Sequence, residues 1–78
     1  MAFSIKVKNV GVTGTIGVWQ RINLNEQTEL LNQIMEAGAV KTLTALDSPP
    51  KEFAWEHYAT NLVGQGTYGE GDTIEVGS

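Results

Sequence analysis

The chain has no cysteine in 78 residues. No disulfide can close a loop in it, and no thiolate can hold a metal. A chain of this length buries only about 60% of the surface that its unfolded form exposes. At ~0.05–0.15 kcal/mol per residue, its expected stability is on the order of 4–12 kcal/mol. With no disulfide to contribute, packed apolar side chains are the main favourable source of that stability, so their placement governs the fold. The same length excludes a two-domain enzyme, a dinucleotide-dependent dehydrogenase or a kinase, and one domain spanning residues 1–78 is expected. With 41% hydrophobic and 18% charged residues, the composition offers enough apolar surface to offset chain entropy.

The charge balance restricts the partners. Nine acidic residues oppose five basic ones, for a net charge of −4. Lys6, Lys8, Arg21, Lys41 and Lys51 are scattered along the chain, whereas phosphate binding needs clustered cations to displace counterions. Nucleic acid is not expected as a partner. No apolar run approaches the ~20 residues of a membrane helix, so no membrane partner is expected either. Residues 1–12 alternate and include two lysines, unlike a secretory signal. With no cysteine, this places the chain in the cytoplasm as an expectation.

Hydrophobic period then predicts the elements. Phe3, Ile5 and Val7 alternate with Ser4, Lys6 and Lys8, a strand with one buried face. The phase changes at 9–11, and Val10, Val12, Ile16, Val18 and Ile22 continue on even positions. This predicts a second strand, regular from Gly17 to Ile22 and pairing antiparallel with the first. Asn23 stands three residues before Glu26, a capping-box spacing. Leu24, Leu30, Leu31, Ile34 and Met35 fall on one side of a helical projection. The spacing predicts an amphipathic helix ending at Gly38, with Glu26, Glu29 and Glu36 on its polar face. Val40–Leu46 reads as a strand, ended by Asp47-Ser48-Pro49-Pro50, which also carries a helix-start signal.

Residues 52–59 read as a short helix, with a strand as the alternative that places Phe53, Trp55, His57 and Ala59 on one face. The tail reads as a glycine-rich loop followed by a short strand at Ile74 and Val76. The expected fold class is therefore α+β: a small antiparallel sheet built from an N-terminal hairpin and later short strands. One amphipathic helix packs it, with a second short helix beyond.

The chemistry-bearing motifs are few. Gly64-Gln65-Gly66-Thr67-Tyr68-Gly69 is a formal GxGxxG and resembles the phosphate-covering glycine loop of protein kinases. The likeness covers six residues. The strand lysine, catalytic aspartate and metal-binding aspartate that the kinase motif implies do not fit a chain this short. Glu70 and Asp72 beside it repel phosphate, and a flexible hairpin connection is the simpler reading. His57, the single histidine, suits a general base, and Glu52, Glu56 and His57 on a helix could bracket a metal. Both readings lack a completed set of groups, and a solvated acidic face or a packed histidine accounts for the same residues. No catalytic residue, metal or cofactor is expected.

The aromatics carry more information. Two tryptophans are costly to leave in water in so small a domain, and exposed Trp and Tyr are common anchors of binding surfaces. Trp19 lies opposite the Val18 and Ile22 face. It is therefore either exposed or covered by residues 52–58 of its own chain. The expected function is a non-enzymatic protein-protein interaction module. Trp19, Trp55 and Tyr58 would be its apolar anchors, and Glu26, Glu29 and Glu36 its acidic contacts. A small, acidic, cysteine-free chain without catalytic motifs resembles many phage-encoded inhibitors and adaptors. Two further readings stand beside it: a homo-oligomeric assembly protein that covers an open sheet edge, and a small-molecule or nucleotide binder using the 64–71 loop.

Overall fold

The computed structural model describes residues 2–46 and 51–77. Among the described residues every regular element is a strand: β1 (Phe3–Asn9), β2 (Gly14–Asn23), β3 (Glu26–Met35), β4 (Val40–Ala45), β5 (Lys51–His57), β6 (Leu62–Tyr68) and β7 (Thr73–Val76). They form a three-stranded sheet in the order β4-β1-β7 and a four-stranded sheet in the order β3-β2-β5-β6. All pairings are antiparallel except β1 with β7. The chain changes sheet after β1, β3, β4 and β6, so the two sheets are stitched together at both ends.

The core lies between the sheets. Phe3, Ile5 and Val7 of β1, Ala45 of β4, and Ile74 and Val76 of β7 face it from one side. Ile16, Val18, Leu31, Met35, Phe53 and Trp55 face it from the other. Phe53 joins the layers, with its ring edge-on to Phe3 at 6.2 Å and to Tyr68 at 6.0 Å between centroids. Buried polar side chains hold the connections. Gln20 of β2 donates from Nε2 to the Leu46 carbonyl and accepts the Leu46 N–H at Oε1, both at 2.8 Å. Asn9 donates from Nδ2 to the Val12 and Met35 carbonyls and accepts from Gly11 N–H. Each spends the hydrogen-bonding capacity of a buried amide on the backbone of a neighbouring segment.

The expected α+β architecture is not what the chain adopts. Where an amphipathic helix was expected, β3 runs as an edge strand, with Leu31 and Met35 buried and Ile34 and Leu24 exposed. Leu31 and Met35 are four apart, a spacing that returns to one face in a helix and equally in a strand. A register shift opposite Val18/Trp19 sets Leu30 out of the pairing and brings Leu31 onto the core side.

The apparent capping box is a hairpin turn. Asn23 Oδ1 accepts the N–H of Asn25, Asn23 Nδ2 donates to Glu26, and β2 turns into β3 over Leu24-Asn25. An Asn side chain that binds the backbone two residues on serves a turn as readily as a helix start. Gly38 does take the left-handed conformation (φ 84°). It sits third in a turn closed by Ala39 N–H to the Glu36 carbonyl, a type II geometry, and does not cap a helix.

The second helix is also absent: residues 51–57 form β5, with Phe53, Trp55 and His57 inward. The first two strands do not form a hairpin. β1 pairs with β4 and β7, and β2 with β3 and β5. The strands expected at 40–46 and around Ile74 and Val76 are present as β4 and β7. Residues 47–50, expected to end β4 and start a helix, lie outside the described residues.

Candidate functional site on the outer face of the four-stranded sheet

The inward alternation of β2 and β5 dictates what points outward. With Ile16, Val18 and Gln20 turned to the core, Gly17, Trp19 and Arg21 face away from it. With Phe53, Trp55 and His57 inward, Ala54 and Glu56 share the outer face. Register aligns Glu29, Trp19, Ala54 and Gln65 in a row across β3, β2, β5 and β6. Trp19 lies back over Gly17, where an added Cβ would meet the indole at 2.5 Å. The absence of a side chain at 17 is what lets the ring lie against the sheet.

Beside the indole is a shallow depression of about 630 Å3, bounded by Ala54, Glu56, Val63, Gln65 and Gln27. Val63 is 70% exposed. An apolar floor of indole, alanine and valine ringed by two amides and one carboxylate is suited to seating an apolar side chain with polar contacts at its rim.

The residues expected to form the partner surface are brought together only in part: Trp19 and Trp55 line this depression, and the others do not. Trp19 is half-buried on this face. Trp55 is 9% exposed and belongs to the core, its ring over Gly64. Tyr58 is exposed just past the end of β5, its N–H bonded to the Thr15 carbonyl, four residues along from Ala54. Glu29 stands opposite Trp19. Glu26 opens β3 and Glu36 follows its end, about 30 Å apart at ~3.3 Å per strand residue. The acidic helix face therefore does not exist. Ala54, Glu56, Val63 and Gln65 were missed. Alternation along 53–57 marks the first two, but Val63 and Gln65 join them only through the β5–β6 register.

The remaining motifs resolve differently. His57 is fully buried. Its Nε2 donates to the Val12 carbonyl at 2.7 Å, and its Nδ1 has no partner among the described residues. The ring cannot reach a substrate. Glu52 and Glu56 fall on the opposite face from it, and among the described residues no group of three or more His, Asp or Glu could hold a metal. Gly64 and Gly66 lie within β6, under the rings of Trp55 and Tyr68.

In the turn that follows, three N–H groups are already bonded: Gly69 to Asp72 Oδ2, Asp72 to the Gly69 carbonyl, and Gly71 to the Ser4 carbonyl. Among the described residues no helix is long and apolar enough to cross a membrane. Neither a protein-family model, nor a curated protein, nor a solved structure matches this chain.

Proposed function

We propose that this protein is a non-enzymatic interaction module that seats an apolar side chain of a partner protein in the Trp19 depression. The observation that carries this reading is a half-exposed indole laid against a sheet face, with exposed Val63 and half-buried Ala54 beside it. A large aromatic beside a rimmed apolar hollow is the usual form of an interface anchor. The rim supplies Gln27, Gln65 and Glu56 for polar contacts. The cytoplasmic setting expected from the cysteine-free composition belongs to the same proposal.

The test is affinity capture from the native host with wild type, Trp19→Ala and Val63→Lys as baits, the fold of each checked by circular dichroism. A protein retained by wild type and lost by both folded variants supports the reading. Retention of that protein by both variants removes it. Because Trp55 is buried, the half-exposed Trp19 dominates quenching of the emission by acrylamide, and a bound partner protects it.

A further inference from the structure

The sandwich leaves four strand edges, and three of them are blunted. β3 carries Glu26 and Glu29 and two register shifts against β2. β4 carries Lys41. β7 is only four residues long and carries Glu75. These are the usual devices that keep a sheet edge from pairing with another chain. β6, Leu62-Val63-Gly64-Gln65-Gly66-Thr67-Tyr68, has none of them. It holds no charge and no proline, and it pairs with β5 residue for residue over seven positions without a shift.

The direction of its free hydrogen-bonding groups follows from one contact. Tyr58 N–H bonds the Thr15 carbonyl, so residues 54, 56 and 58 direct their backbone groups to β2. Residues 53, 55 and 57 then direct theirs to β6. Their partners Gly66, Gly64 and Leu62 are thereby satisfied, and Val63, Gln65 and Thr67 point their N–H and C=O groups away from the sheet.

We infer that β6 is the seat of a second copy of this chain, paired antiparallel about a twofold axis through Gln65. The edge is complementary to itself in that register. Gln65 faces its own mate, Val63 faces Thr67, and Leu62 faces Tyr68. Every outward N–H and C=O of Val63, Gln65 and Thr67 finds a partner. A valine–threonine pair on the outer face and a leucine–tyrosine pair on the inner face are both favourable cross-strand combinations. Gly64 falls opposite Gly66, so the rings already lying over them meet no opposing side chain.

In a chain of net charge −4, this is the one edge of the described sheets that carries no charged side chain. Pairing joins the sheets into one of eight strands. The Glu29–Trp19–Ala54–Gln65 row continues into its mate, with both Trp19 hollows on the same side. The inference goes beyond the docking role of Trp19 and stands or falls separately from it, because its measurement involves no partner protein.

The test uses the full chain at near-physiological salt, where charge repulsion is screened beyond ~8 Å. Sedimentation from micromolar to millimolar concentration is expected to show the mass rising from 8.4 kDa to twice that value. Gln65→Pro removes an N–H that bonds nothing among the described residues, and proline is tolerated at such outward edge positions. It is expected to remain folded and to shift the dimer midpoint at least tenfold higher.

The absence of cysteine makes register readable. Gln65→Cys alone is expected to oxidise to a covalent dimer. Val63→Cys and Thr67→Cys are expected to cross-link when mixed but not separately. A mass of 8.4 kDa throughout, a dimer indifferent to Gln65→Pro, or equal cross-linking at all three positions would each overturn the inference.

Discussion

Glycine and aromatic side chains are paired in this protein: Trp55 lies over Gly64, Trp19 over Gly17 and Tyr68 over Gly66. The first pair is the most constrained, because Trp55 is buried. An added Cβ at 64 would meet its ring at 2.5 Å, and the ring has nowhere to go. Gly64→Ala is therefore expected to cost about 1–3 kcal/mol through overpacking, read as a lower urea midpoint. An unchanged midpoint would show that Trp55 is not held over Gly64. Gln20 makes a second residue-scale prediction. Replacing it with Met keeps its bulk but strips both bonds to Leu46. A loss of roughly 1–3 kcal/mol is expected, together with faster exchange of the Leu46 amide. Protection of that amide equal to wild type would exclude the clamp.

At the scale of elements, β3 is where strand and helix make opposite demands. As a strand it buries Leu31 and Met35 and leaves Ile34 69% exposed. Leu31→Ala is then expected to cost about 2–5 kcal/mol, and Ile34→Ala no more than ~0.5 kcal/mol. A helix packed by the Leu30, Leu31, Ile34 and Met35 stripe would make the two substitutions comparably costly, so chemical denaturation of the pair decides between them. The strand pattern of 53, 55 and 57 was legible as an alternative, since those three side chains share one face at period two. Propensity favoured helix there through Glu52, Ala54 and Glu56. Burial of Phe53, Trp55 and His57 against both sheets outweighs that preference, which amounts to tenths of a kcal/mol per residue.

For the whole molecule, the decisive fact is that β1 has no partner close to it in sequence. It waits for β4 and then for β7, the last strand of the chain. Loop closure must precede the contacts that reward it, so refolding is expected in milliseconds to seconds. Stopped-flow tryptophan emission measures this, and a microsecond phase carrying the full amplitude would contradict the topology. The closing strand is short, but Ile74 and Val76 are fully buried against β1.

Much of this protein was determined by sequence alone. The alternation of β1 and the Ile74–Val76 pair identify strands because period two places their apolar residues on one face, and the Thr and aliphatic content of β4 marks a third. The left-handed turn at Gly38 and the outward direction of Trp19 were equally local properties. Tertiary structure alone decided which strands pair, that Trp55 serves the core, and that Val63 and Gln65 stand beside Trp19. It also decided that residues 24–36 extend. The physical reason is one of range. Side-chain period is written within a few residues, and a spacing of four satisfies helix and strand alike. Burial against a facing sheet is settled only when segments far apart in the chain meet.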